Sequence, residues 1–109
     1  MTQTDRHEYF HLLEATASDQ AVVNLASQYL AAWTPGELAA IPNACRPGAV
    51  RDAEDLADIA YCLTRARIES SIVNSRLDEM ENFFANACAR VSELEAAPHR
   101  ATGKSYLTR

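Results

Sequence analysis

Two histidines and a glutamate near the start of the chain have the types and spacing of a zinc-binding group. His7 and His11 are four residues apart, and Glu8 follows the first of them directly. On a helix, residues four apart share one face, so both imidazoles could reach one Zn²⁺ while the glutamate activates a bound water. The reaction that such a group supports is hydrolysis, and the metal requires a further protein ligand.

The five residues from His7 to His11 read H-E-x-x-H, and over this length the chain resembles the zinc metallopeptidases. In the gluzincin branch, the resemblance implies a third ligand from a glutamate on a later helix, often within E-x-x-x-D. Glu54 and Asp58 have that spacing. The resemblance therefore implies a zinc-dependent hydrolase with Glu8 as the catalytic residue, His7 and His11 as metal ligands, and Glu54 or Asp58 as the third ligand.

The same residues have a second interpretation, as the exposed side of an amphipathic helix. The two histidines lie on the side of the predicted helix opposite Tyr9, Leu12 and Leu13. No segment reads as a strand that could form the sheet found in the peptidases. Carboxylates around Glu54 are also expected at a helix N-terminus, where the helix dipole favours negative charge. We therefore predict no catalysis, no metal and no cofactor, and keep the zinc hydrolase as the alternative.

The three cysteines are predicted to be reduced thiols. They are odd in number and too far apart for a local C-x-x-C pair. Cys62 and Cys88 flank an apolar pattern and are predicted to be core residues. Cys45 precedes Arg46, which could lower the pKa of the thiol, so the sequence leaves open whether Cys45 is reactive.

Composition and charge limit the classes of function. The chain has 109 residues, of which 48% are hydrophobic and 23% charged, and this predicts one globular domain over 1–109. A net charge of -5 repels phosphate backbones and argues against nucleic-acid binding. The N-terminus lacks a signal-type pattern, and no apolar run approaches the roughly 20 residues of a membrane span, which predicts a cytoplasmic protein without membrane contact. Nine of the ten basic residues are arginine, a usage that we associate with a GC-rich bacterial genome.

The elements that must position these residues are predicted to be helices throughout. Ser18 is a candidate N-cap, and Thr34, Pro35 and Glu37 form a capping-box pattern in which Trp33 can pack onto Leu38. The predicted elements are helices over about 5–17, 18–33, 52–69 and 71–97, with a short helical turn at 34–38 and a loop over 42–48. The predicted fold is an all-α antiparallel bundle of about four main helices plus one short turn, with a long C-terminal helix.

An apolar seam with alternating spacings of three and four residues dominates the second half of the chain. It comprises Leu56, Ile59, Leu63, Ala66, Ser70, Val73, Leu77, Met80, Phe84, Ala87, Val91 and Leu94. One helix over 52–97 would be about 69 Å long, and only an oligomer could bury it. Weak helix formers favour a break near Ser70, although the sequence leaves open whether these residues form one helix or two. Pro98 is predicted to close the last helix, leaving 1–4 and 99–109 as loose tails.

The function predicted from the sequence is protein–protein interaction by a small acidic adaptor, chaperone-like subunit or inhibitor. A homodimer is predicted to form along the seam, through Val73, Leu77, Met80, Phe84, Val91 and Leu94, with Arg76–Glu81 and Arg90–Glu95 pairing between helices. A further alternative is an acidic mimic of nucleic acid, in which the carboxylates of 52–58 and 78–81 form one continuous surface. The sequence does not identify the partner or the biological process.

Overall fold

The computed structural model describes residues 6–46, 48–70 and 74–107, with side chains through residue 96. The helices are α1 (Glu8–Ala15), α2 (Asp19–Ala31), α3 (Pro35–Leu38), α4 (Ala53–Glu69) and α5 (Ser75–Leu107). No strand occurs within those ranges, and the helices pack against one another, which confirms the all-α bundle.

The starts of the helices follow local capping signals. Ser18 accepts a hydrogen bond from the backbone N–H of Ala21 and caps α2. Thr34 and Glu37 satisfy each other's backbone N–H groups at the start of α3, which confirms the predicted capping box. Asp52 caps α4 by accepting from a backbone N–H in its first turn.

The predicted break near Ser70 is confirmed, because α4 ends at Glu69 and the described part of α5 begins at Ser75. Ser70 has extended backbone and is exposed, so this seam position no longer faces the core. Val73, another seam position, lies outside the described residues. The break lets α4 and α5 form an antiparallel pair, in which each helix buries its apolar stripe against the other.

The predicted end of the last helix at Ala97 is wrong, because α5 continues through Pro98 to Leu107. A proline inside a helix removes one backbone hydrogen bond at a cost of about 3 kcal/mol. It does not stop a helix whose flanking residues favour that conformation, as alanine, glutamate and arginine do here. That residues 99–109 are loosely held stays a prediction.

The core lies between α2, α4 and α5, and α1 packs onto α2 and α5. Eight of the twelve seam residues are buried there, and Ala66 and Leu94 pack against it while partly exposed. The core also contains Val22, Val23, Leu25, Ala26, Tyr29, Leu30, Trp33, Leu38, Ile41, Cys45, Val50 and Phe83. Ile41, Cys45 and Val50 come from the segment between α3 and α4, so this linker is held by burial although it is not helical.

Candidate functional site

The H-E-x-x-H residues lie on the exposed side of α1. His7, Glu8 and His11 are all exposed, whereas Leu13 is buried and Tyr9 packs against the core. This is the orientation predicted for an amphipathic helix. The buried face of α1 is narrower than the sequence predicted, because Leu12 is 47% exposed.

The structure does not bring a third ligand to the histidines. Glu54 lies in the first turn of α4, where it borders a groove together with Val91 and Glu95 of α5. Within the part of the chain that the structure describes, no three His, Cys, Asp or Glu residues are grouped so that they could hold a metal ion. The geometry that a gluzincin-type site requires is therefore not formed by His7, His11 and Glu54.

Cys45 is a core residue in this structure. Its side chain is fully buried, and burial, with a further contribution from Cys62, raises the pKa of the thiol to about 12. Arg46 does lower this pKa, as its charge predicts, but removal from water raises the pKa by more, so the thiol is not activated. Cys62 and Cys88 are partly exposed.

A polar cluster that the sequence pattern did not reveal joins the start of the chain to α3 and α5. Arg6 Nη1 lies 2.9 Å from Glu37 Oε1, and Arg6 Nε lies 3.9 Å from Glu79 Oε2. The hydroxyl of Tyr29 donates to Glu79 Oε2 at 3.3 Å, and the guanidinium carbon of Arg6 lies 3.8 Å from the centroid of the Trp33 ring. We call these five residues the Arg6 cluster.

The electrostatics of the Arg6 cluster indicate a structural role. The backbone N–H of Thr34 and the guanidinium of Arg6 hold the pKa of Glu37 below its usual range. Burial, and then the charge of Glu79, raise the pKa of Tyr29, which keeps its hydroxyl protonated as a donor. Since Tyr29 is fully buried, it cannot contact a solute. The cluster ties separate segments together, and only the fold brings its members into contact.

The predicted homodimer seam is occupied within the single chain. Leu77, Met80, Phe84 and Val91 are all at most 8% exposed, and Leu94 packs against the same core. In this conformation these side chains have almost no surface to offer a second chain. Within the single chain, α4 packs along α5 and covers these residues, while Val73 lies outside the described residues. Self-association of the chain along this seam stays a prediction.

The two ion pairs predicted between chains are replaced by contacts within the chain. Glu81 accepts from Thr64 Oγ1 at 3.0 Å and pairs with Arg67, both on α4. Arg90 donates to the backbone carbonyl of Thr16 and pairs with Glu93 at 3.1 Å. These contacts hold α4 and the α1–α2 connection against α5.

The outer face of α4 carries the two most exposed large apolar side chains among the described residues. Tyr61 is 63% exposed and Ile68 is 70% exposed. Arg65 lies between them, 5.9 Å from the Tyr61 ring, and pairs with Glu69 at 2.7 Å. Tyr61, Arg65 and Ile68 are called the α4 outer face below.

A groove of about 350 Å³ runs between the start of α4 and α5. It is lined by Ala53, Glu54 and Ala57 of α4 and by Cys88, Val91, Ser92 and Glu95 of α5. A second groove, of about 240 Å³, lies between α1 and α5 and is lined by residues that include Phe10, Glu14 and Arg90. The larger one is called the α4–α5 groove below.

The acidic residues at 52–58 and 78–81 lie along different parts of α4. Because α4 and α5 are antiparallel, residues 52–58 lie beside the later part of α5, whereas residues 78–81 lie beside the end of α4. Asp58 is six residues from Thr64, which contacts Glu81, and this corresponds to about 9 Å along the helix. Glu79 and Glu81 are paired with arginines, which reduces the negative charge that they present. One continuous acidic surface stays a prediction.

No family model, curated protein or solved structure matches this chain. In the part that the structure describes, no helix combines the length and the apolar character needed to cross a membrane.

Proposed function

We propose that this protein acts by binding another protein through the α4 outer face, as a small acidic adaptor, chaperone-like subunit or inhibitor without catalysis. The observation that supports this proposal most strongly is the exposure of two large apolar side chains on one face of α4. Tyr61 is 63% exposed and Ile68 is 70% exposed. The residues with metal-binding or nucleophilic character do not converge in the described part of the chain, which also favours a binding role.

The spacing of the two apolar side chains suits contact with a partner. Seven residues apart on a helix, they are two turns apart on one face and about 10 Å apart along the axis. This is the separation of the i and i+7 anchors by which helices bind grooves or other helices. Burying each side chain would contribute about 1.5–3 kcal/mol.

The chemistry of the face also suits an interface. Tyrosine and arginine are enriched among residues that dominate binding energy. Arg65 is held beside Tyr61 and by its ion pair with Glu69, so it loses less conformational freedom when a partner binds. The opposite side of α4, with Leu56, Ile59 and Leu63, supplies the core. The fold therefore does not require apolar residues at 61 and 68.

The proposal is tested by site-specific photo-crosslinking in cells. A photoreactive residue at Ile68 is expected to form a discrete covalent adduct with another protein. The same residue at Gln28, which is exposed on α2, serves as the control and is expected to form none. The adduct mass separates another protein from a second copy of this chain.

The captured protein is then purified and its affinity measured. Tyr61→Ala and Ile68→Ala are expected to weaken binding about ten-fold or more each, without lowering the thermal stability of the free protein. Gln28→Ala is expected to bind as the unaltered chain does. Equal crosslinking at both positions, or unchanged affinity in both α4 variants, would contradict the proposal.

A further inference from the structure

The lining of the α4–α5 groove combines small or apolar residues with two glutamates. Ala53, Ala57 and Val91 contribute the small or apolar surface, and Glu54 and Glu95 contribute the carboxylates. Both glutamates are exposed, and neither has an ion-pair partner among the described residues. Such a groove favours a segment that combines basic residues with small or apolar ones.

The charges around the groove strengthen this preference. Three further carboxylates lie in the capping position and first two turns of α4, at Asp52, Asp55 and Asp58. Arg51 directly precedes these carboxylates in the sequence and is already paired with Asp55 at 3.1 Å. The residues from Arg51 to Asp58 therefore carry a net negative charge.

One segment of the chain has the complementary composition. Residues 97–109 contain three basic residues and no acidic one, whereas the remaining residues carry all fifteen acids and only seven bases. The segment also contains Ala101, Gly103, Tyr106 and Leu107, which are small or apolar.

A chain cannot place this segment in its own groove while α5 remains intact. One wall of the groove is α5 itself, up to Glu95, and the helix continues from there to Leu107. The continuation is about 18 Å long and leads along the axis, away from the groove. The segment of a second, antiparallel copy can reach the groove. A two-fold axis near Ala96 places residues 97–104 of one chain beside residues 88–95 of the other.

We propose that the α4–α5 groove binds the basic C-terminal segment, residues 97–109, of a second copy of this chain. The result is a two-fold dimer in which each chain supplies one groove and one segment, so that every contact occurs twice. This dimer uses none of the three residues of the α4 outer face and does not depend on the proposed function.

The test is analytical ultracentrifugation of the full chain at low and high salt. The unaltered protein is expected to dimerise, and more weakly at high salt, because exposed charge pairs are screened. Arg100→Glu/Lys104→Glu and Glu54→Lys/Glu95→Lys are each expected to weaken the dimer about ten-fold or more. Glu8→Lys/Glu14→Lys makes the same charge change on exposed residues of α1 and is expected to leave the dimer unchanged.

Mixing the two groove and segment variants provides the decisive step. The acidic segment of Arg100→Glu/Lys104→Glu then meets the basic groove of Glu54→Lys/Glu95→Lys. The unaltered basic segment of the groove variant meets the unaltered acidic groove of the segment variant, so a heterodimer is expected to form. Circular dichroism of each variant confirms that it is folded. A monomeric unaltered chain, unchanged dimers in both variants, or a mixture that stays monomeric would overturn the proposal. Tyr61→Ala/Ile68→Ala is expected to dimerise normally, which separates this result from the proposed function.

Discussion

Tyr29 of α2 and Phe83 of α5 stack face to face, with ring centroids 3.8 Å apart and ring planes 13° apart. Both side chains are fully buried, and Phe10 and Phe84 meet them edge to face. Phe10 also lies 5.4 Å from Phe83, so the stack connects α1, α2 and α5. It is the centre of the aromatic part of the core.

Removing one ring of this stack is expected to destabilise the fold strongly. Phe83→Ala is expected to lower the free energy of unfolding by about 3–5 kcal/mol, because it leaves a cavity. Tyr29→Phe keeps the ring and loses only the hydrogen bond to Glu79, for which we expect a loss of about 1 kcal/mol. Urea denaturation measures both values. Equal losses in the two variants would contradict the stacked arrangement.

The stability of the protein is expected to depend on the ionisation of Glu37. Its pKa is lowered in the folded state, so the folded chain binds fewer protons than the unfolded chain at acidic pH. The stabilisation is complete above the unfolded pKa of about 4.3 and is lost as pH falls through the folded value. Urea denaturation between about pH 6 and 3 is therefore expected to show a shallower decline in Glu37→Gln.

Glu14→Gln is the control for that measurement, because Glu14 is an exposed carboxylate outside the Arg6 cluster. The free energy of unfolding of Glu14→Gln is expected to decline with falling pH as that of the unaltered chain does. Some pH dependence is expected to remain in Glu37→Gln, since the backbone N–H and side chain of Arg51 also lower the pKa of Asp55. Identical pH profiles for Glu37→Gln and the unaltered chain would contradict the role of the Arg6 cluster.

Cys45 is expected to be the last of the three thiols to react. It is fully buried with a pKa of about 12, whereas Cys62 is partly exposed. Alkylation of the native protein at about pH 8, followed by peptide mass spectrometry, is expected to label Cys62 first. In denaturant the three are expected to react at similar rates. Native labelling of Cys45 as fast as that of Cys62 would show that the linker opens readily.

The histidines of α1 are expected not to hold stoichiometric zinc. Elemental mass spectrometry of the untagged protein, purified without chelator, is expected to give the same trace as the His7→Ala/His11→Ala variant. The reason is that no third ligand is grouped with them in the described part of the chain. About one zinc per chain that disappears in the variant would restore the hydrolase alternative.

Local sequence signals predicted most of the secondary structure. The spacing of apolar residues predicted α2, α4 and α5, and side-chain caps at Ser18 and Thr34 marked two helix starts. These signals act within one or two turns of helix, so neighbouring residues suffice to reveal them. The end of α5 was predicted wrongly because a single proline does not outweigh flanking residues that favour helix.

The sequence by itself thus determined the helical class and the apolar stripes, and it favoured a break near Ser70, which the structure shows. Only the tertiary structure decided which partner each stripe meets. The seam of α5 is covered by α4 of the same chain, and Glu81 pairs with Arg67 on that helix. A repeat of apolar residues predicts that one face of a helix is buried. It does not predict the neighbour that covers this face, because the hydrophobic effect is non-directional and acts equally within one chain and between two chains. The Arg6 cluster and the α4–α5 groove depend on contacts across more than thirty residues, which no local pattern encodes.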